Sequence, residues 1–258
     1  MNPQRQRQIF DRKTRRLERK YIALIQEAIL RQLIIYQRAL KANPLDAIYS
    51  IDKYFDDSQL ARVYERMIEE SANAFRIDDF DQIVKSINQT TWVQFVTERI
   101  MNIGGRRITQ INRFTKAYVL NKLRPILNEG IREGLGISDI ANAIISNIAE
   151  YAGTFARYRA TRIARTEIIS TSNWAGLASA QAAGIEDQVL KKWLPTQDER
   201  TRQSHLDMEN HPAIPLDQKF EVPLLGGGVD FLKYPGDPNG QPESVINCRC
   251  VIIYERVR

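Results

Sequence analysis

Cysteine and histidine are scarce in this sequence, with two of each among 258 residues. Cys248 and Cys250 are separated by a single residue. Same-face neighbours on a strand lie near the upper limit of Cα separation for a disulfide, so a reduced or metal-binding pair is the better reading. Long apolar runs are missing too. None reaches the eighteen or so residues that a membrane span requires, and the start, with Arg5, Arg7, Arg12 and Lys13, lacks the early apolar segment of a signal peptide. No membrane contact is expected, and a cytoplasmic place of synthesis is. The N-terminal half also lacks a Gly-rich phosphate loop, a His-Glu-x-x-His pair and a Gly-x-Ser-x-Gly elbow.

What is present is ordinary globular material, 43% apolar and 26% charged, of a length that suits one large or two modest domains. The net charge of +6 is unevenly spread. Residues 1–41 hold eleven Lys and Arg against three Asp and Glu, a net of +8, which leaves −2 for the remainder. Such a run is either a solvated helix face or a contact with nucleic acid or an acidic protein surface.

The helical period dominates the first half. Ile22, Ile25, Ile29, Leu33, Tyr36 and Leu40 predict one helix over residues 4–42, broken at Asn43-Pro44. Its upstream part, Arg5 to Lys20, carries charge on nearly every face and is expected to stand in solvent or meet an external partner. A second helix is predicted from Ser58 to Phe75, with Asp56, Asp57 or Ser58 as cap. A third starts after Asp78 or Asp79, carries Phe80, Ile83, Ile87 and Phe95, and ends near Gly104-Gly105. A fourth covers 106–123.

Gly130, Gly134 and Gly136 then mark a turn before a compact helix capped by Ser138-Asp139, a helix-turn-helix shape best read as antiparallel packing. A small-residue helix over 154–183 follows. It carries Arg159, Arg162, Arg165 and Glu167 at spacings that favour pairing inside the fold. Strands are expected at 188–194 and 250–254, a short helix at 200–209, and a long Pro- and Gly-rich loop between Pro212 and Gly240. These elements make an α+β protein: a predominantly helical N-terminal region, 1–125, and a small mixed domain, 126–258, in which a long helix backs a short sheet.

Every cysteine and histidine falls between Trp193 and Cys250. Two thiolates of Cys248 and Cys250 with the His205 imidazole are a zinc donor set, with Asp198 or His211 as fourth ligand. The competing reading has two small buried cysteines and a histidine bonded to loop backbone. A His-Asn-His nuclease built on His205, Asn210 and His211 is disfavoured, since the three lie within seven residues. ADP-ribosyl transfer through Ser170-Thr171-Ser172 is rejected, because that triplet sits mid-helix with no Glu-x-Glu after it.

Taken in order, Arg165-Thr166-Glu167, Asn173, Lys192-Trp193, Asp198-x-Arg200-Thr201-Arg202-x-x-His205, Phe220, Pro235-Gly236-Asp237-Pro238 and Asn247-Cys248-Arg249-Cys250 resemble the Mu F-like head morphogenesis family of tailed double-stranded DNA phages and prophages. The resemblance covers roughly residues 127–254. It implies a minor head protein at the portal vertex, located inside the head of the virion and in the host cytoplasm during assembly, and acting in head assembly, DNA packaging or genome delivery. It implies no enzyme apart from members fused to toxin domains, none of which is expected here with four residues after the motif region, and it makes Arg165, Glu167, Trp193, Asp198, Arg200, Arg202, His205 and Asn247 motif residues. Expected partners are the portal protein, a major capsid or scaffold protein, and double-stranded DNA. Arg5, Arg7, Arg12, Lys13, Arg15, Arg16, Arg19 and Lys20 would make the DNA or portal contact. The alternative is a metal-dependent DNA-processing nuclease of the phage head.

Overall fold

The computed structural model describes residues 2–56, 58–76 and 88–257. It is an α+β protein, mostly helical. Helix α1 (Pro3–Ala42) stops where Asn43 leaves the helix, and the Asn43 side chain accepts from Asp46 N at 3.2 Å to start α2 (Pro44–Tyr49) with proline in its first turn. Helix α3 (Ser58–Phe75) keeps its predicted bounds. The predicted start of the third helix, with Phe80, Ile83 and Ile87, lies outside the described residues.

Gly104-Gly105 does not end a helix. Helix α4 (Gln89–Arg99) runs through a π-turn at Ile100–Gly104 straight into α5 (Gly105–Arg132), and Gly104 has a right-handed φ of −55°. Glycine permits a left-handed cap but does not impose one. The real stop comes at Gly134 (φ 69°), where Leu135 N–H reaches back to Gly130 O at 2.9 Å, the long bond of a Schellman cap. The compact helix and the small-residue helix after it are one element, α6 (Ile137–Ala182), 46 residues long.

Strands β1 (Val189–Leu194), β2 (Ile214–Pro215) and β5 (Val251–Arg256) form an antiparallel sheet in the order β2-β1-β5. The segment expected as loop contains a hairpin of β3 (Phe220–Pro223) and β4 (Val229–Leu232). Phe220, Val222, Asp230 and Leu232 alternate inward with exposed partners. Short helices α7 (Gln203–Leu206) and α8 (Pro242–Val245) sit in the connections.

The chain divides into two compact units. One holds residues 1–20, 66–103 and 164–258, the other 21–65 and 104–163. In the helical unit, Leu33, Tyr36 and Leu40 of α1 are buried, Gln32 donates to Asp56 O (2.7 Å) and Asn112 Oδ1 (3.3 Å), and Tyr118 stacks on Phe155 with ring centroids 4.2 Å apart. Gly130 lies against Ile140: an added Cβ would stand 2.5 Å from Ile140 Cγ1. Gly130→Ala is therefore expected to destabilise by about 1–3 kcal/mol through overpacking. Gly153→Ala, in α6 with nothing within 4 Å of the new methyl, is expected to stabilise by about 0.5–1 kcal/mol from helix propensity alone. Thermal melts of both variants should move in opposite directions.

In the sheet-bearing unit the first half of α1 does not stand free. Phe10, Thr14 and Leu17, spaced by four and three, are buried, and Phe10 joins Ile169 and Val251 in an apolar cluster with Phe75 and Leu194 at its margin. The arginines dominate the composition of this segment, yet one side of it is core.

The free edge of β5 is closed by side chains. Asn173 of α6 accepts from Ile252 N (2.9 Å) and donates to Cys250 O (3.1 Å) and Pro235 O (2.9 Å). Gln6 of α1 accepts from Tyr254 N (3.2 Å) and donates to Tyr254 O (3.3 Å). Two carboxamides, each the chemical equivalent of one peptide unit, satisfy the outward backbone groups that an additional strand would otherwise pair.

Candidate metal centre

His205 is carried on the four-residue helix α7, and Cys248 and Cys250 lie between the turn at 246–247 and the start of β5. All three are buried, and their candidate donor atoms lie within 4.8 Å of one another. His205 Nδ1 is 3.6 Å from Cys248 Sγ and 3.5 Å from Cys250 Sγ, while Nε2 is buried with no hydrogen-bond partner. The Trp193 ring stands edge-on to the imidazole at 5.3 Å, above a floor of Met208, Phe220, Val222 and Leu232.

The two thiols titrate as a pair. A hydrogen bond from the Cys248 thiol, backed by His205 and the Thr196 backbone, holds Cys250 well below the ordinary thiol range against the opposing effect of burial. Donation to Cys250, with burial, pushes Cys248 well above it. Cys250 N–H also points at Cys248 Sγ at 3.4 Å.

Asp198 does not join this trio. Arg249 grips its carboxylate with NH1 at 2.5 Å and NH2 at 2.7 Å, and Asp198 also accepts from Arg200 N (3.0 Å) and Thr201 Oγ1 (3.1 Å). Arg249, and then these two donors, hold the Asp198 carboxyl below the usual carboxylate range. Nor is His211 a neighbour of the sulfurs: its Nδ1 lies 2.9 Å from Pro212 O and its ring against Phe220. Among the described residues, His205, Cys248 and Cys250 are the one such group.

The remaining motif residues converge on the same turn. Asn247 takes a left-handed φ of 61°, which asparagine tolerates better than most residues. Its N–H donates to Thr166 Oγ1 (2.9 Å) and its Oδ1 accepts from Arg165 (2.9 Å). Arg202 donates to Ile246 O at 2.6 Å. Arg200 supplies its backbone N–H to Asp198 while its side chain is exposed, and Trp193 and Glu167 are buried. Arg165 pairs across the fold with Glu18, at 3.6 Å. Burial raises the Glu18 carboxyl even so, with Arg165 opposing.

Residue reading missed Lys191. Its side chain is fully buried, and Nζ donates to three carbonyls, of Leu216 (3.0 Å), Gln218 (2.5 Å) and Lys233 (2.8 Å), over the Phe220 ring at 5.2 Å. The strand alternation Val189, Lys191, Trp193 carried that signal, since all three point inward.

Of the basic residues proposed for outside contact, Arg7 bonds Asp11 and Thr196, Lys13 donates to Ala74 O, and Lys20 pairs with Glu70. Arg5, Arg12, Arg15, Arg16 and Arg19 are exposed. Among the described residues, no helix is long and apolar enough to cross a membrane.

The sequence has relatives among known proteins. The family described as "Phage Mu protein F like protein" matches residues 121–253, which contain every motif residue discussed above. The chain is similar to the minor head protein GP7 of Bacillus phage SPP1, with 29% identity over 136 residues, 53% of this chain and 41% of that protein. The chain thus spans about two fifths of the length of the curated relative it matches. No solved structure matches.

Proposed function

From the premise that the chain belongs to the phage Mu protein F like family, which its match over residues 121–253 shows, we propose that it is a minor head protein acting at the portal vertex in head assembly, DNA packaging or genome delivery. The family match and its similarity to a minor head protein carry this reading. The structure supplies a physical reason to favour docking over catalysis. Asp198, Arg202, Arg165, Asn247 and Asn173 all direct their polar atoms at the chain's own backbone or side chains, so the motifs build a rigid platform. What they leave for partners is the outer surface.

On that surface the exposed Arg5, Arg12, Arg15, Arg16 and Arg19 are the proposed contact to double-stranded DNA or to an acidic face of the portal, with major capsid or scaffold protein as a further partner. If all five reach phosphates, the salt slope is about −4.5, and affinity for duplex DNA should fall roughly 500-fold between 50 and 200 mM salt. Reversing the five to glutamate should abolish binding measured by fluorescence anisotropy. A salt-independent affinity would exclude the DNA contact. Co-expression with the portal protein and affinity capture tests the head assignment, and plasmid nicking with Mg²⁺ or Zn²⁺ would reveal the nuclease alternative.

A further inference from the structure

We propose that His205, Cys248 and Cys250 hold one zinc ion that staples the turn before β5 to α7. His205 Nδ1 faces two sulfurs at 3.5 and 3.6 Å, and one nitrogen with one proton or one lone pair cannot make a linear bond to both. A cation between the three atoms satisfies them together.

The spacing fits such an ion. Zinc–sulfur bonds of about 2.3 Å and zinc–nitrogen bonds of about 2.0–2.1 Å at the tetrahedral angle place sulfur and nitrogen about 3.6 Å apart. Both observed separations match that edge. The donors are also of the right chemistry, since two thiolates and an imidazole select zinc over magnesium or calcium.

Backbone donors reach both sulfurs. Cys248 Sγ accepts from Cys250 N–H, and the Thr196 backbone bonds Cys250. Backbone donors aimed at the sulfurs orient and stabilise metal-bound thiolates. On binding, zinc meets neutral imidazole and releases to solvent whatever protons the two thiols still hold, so the ion's two charges are balanced by the thiolates. A water takes the fourth corner of the tetrahedron, because the described residues offer no fourth histidine, cysteine or carboxylate in the group.

The benefit to the fold is specific. His205 lies 43 and 45 residues before the two cysteines, and the chain between is rich in proline and glycine around a small apolar cluster. One ion closes that loop.

The test uses the full chain, purified without chelator and analysed for metal by mass spectrometry. About one zinc per chain is expected, and Cys248→Ser with Cys250→Ser should lower this at least tenfold. Because that double variant can fail to fold, the wild-type protein is also stripped of metal and titrated with cobalt. The intense visible bands of four-coordinate cobalt, with thiolate charge transfer in the near ultraviolet, should appear and saturate at one equivalent. Folded wild-type protein that contains no zinc and develops no such bands overturns the proposal.

Discussion

Asn173→Ala is expected to destabilise the protein by about 3–5 kcal/mol, among the largest effects of any single substitution. The carboxamide makes three bonds to buried backbone, to Ile252 N, Cys250 O and Pro235 O. Alanine leaves all three groups unpaired, at about 1–3 kcal/mol each, with partial relief if water enters. Asn173→Asp keeps the acceptor for Ile252 N–H but turns an oxygen toward two carbonyls, so it should recover little of the loss. Chemical denaturation followed by circular dichroism measures both. A loss below about 1 kcal/mol for alanine would show that the β5 edge does not depend on this residue.

Lys191→Met is expected to cost about 2–4 kcal/mol, since methionine fills the volume of the aliphatic stem but leaves three carbonyls without a donor. The wild-type residue also carries a pH signature. Burial, with the Lys233 charge adding to it, lowers the Lys191 pKa to about 8, against about 10.4 in an unfolded chain. Between those values the unfolded chain holds the extra proton, so this group's contribution to stability rises as pH rises through that window. The difference in unfolding free energy between wild type and Lys191→Met should therefore grow in favour of wild type by about 1–3 kcal/mol from pH 7.5 to pH 10. Taking the difference cancels other titrating groups, among them Tyr36 and Tyr151, which burial raises to about 12. A pH-independent difference would mean that Lys191 titrates normally.

Much of the fold is written in local patterns. Helix α1 ends at Ala42 because Asn43-Pro44 both stops one helix and caps the next, and the alternation of β1 was readable from Val189 to Trp193. Gly104-Gly105 reads as a helix end, yet the helix continues through it, and the two helices expected within 137–183 are one. A glycine only lowers the cost of stopping, and neighbouring contacts decide. The β3–β4 hairpin was hidden because its strands are four residues long and Pro223 and three glycines outweigh the Phe220, Val222 alternation. The buried stripe of Phe10, Thr14 and Leu17 was masked by the arginines around it.

At the candidate site, composition alone pointed to the segment in which His205, Cys248 and Cys250 come together, since all four cysteine and histidine residues lie there. The assignment of partners was another matter. That Asp198 belongs to Arg249, and that Arg165 reaches Glu18 and Asn247, follows from tertiary placement across as many as 147 residues, which no spacing rule contains.

The Gln6 carboxamide on Tyr254 joins residues 248 positions apart. Its consequence lies in time. The unit that contains it draws on three separate stretches of chain, so its sheet cannot be sealed until β5 has left the ribosome, and loop-closure entropy makes such a unit slow to form. Until then β5, or the site it will occupy beside β1, is an open template for a neighbouring molecule. High-level synthesis should thus yield its aggregates early, from chains still being made, and slower translation or lower temperature should reduce them.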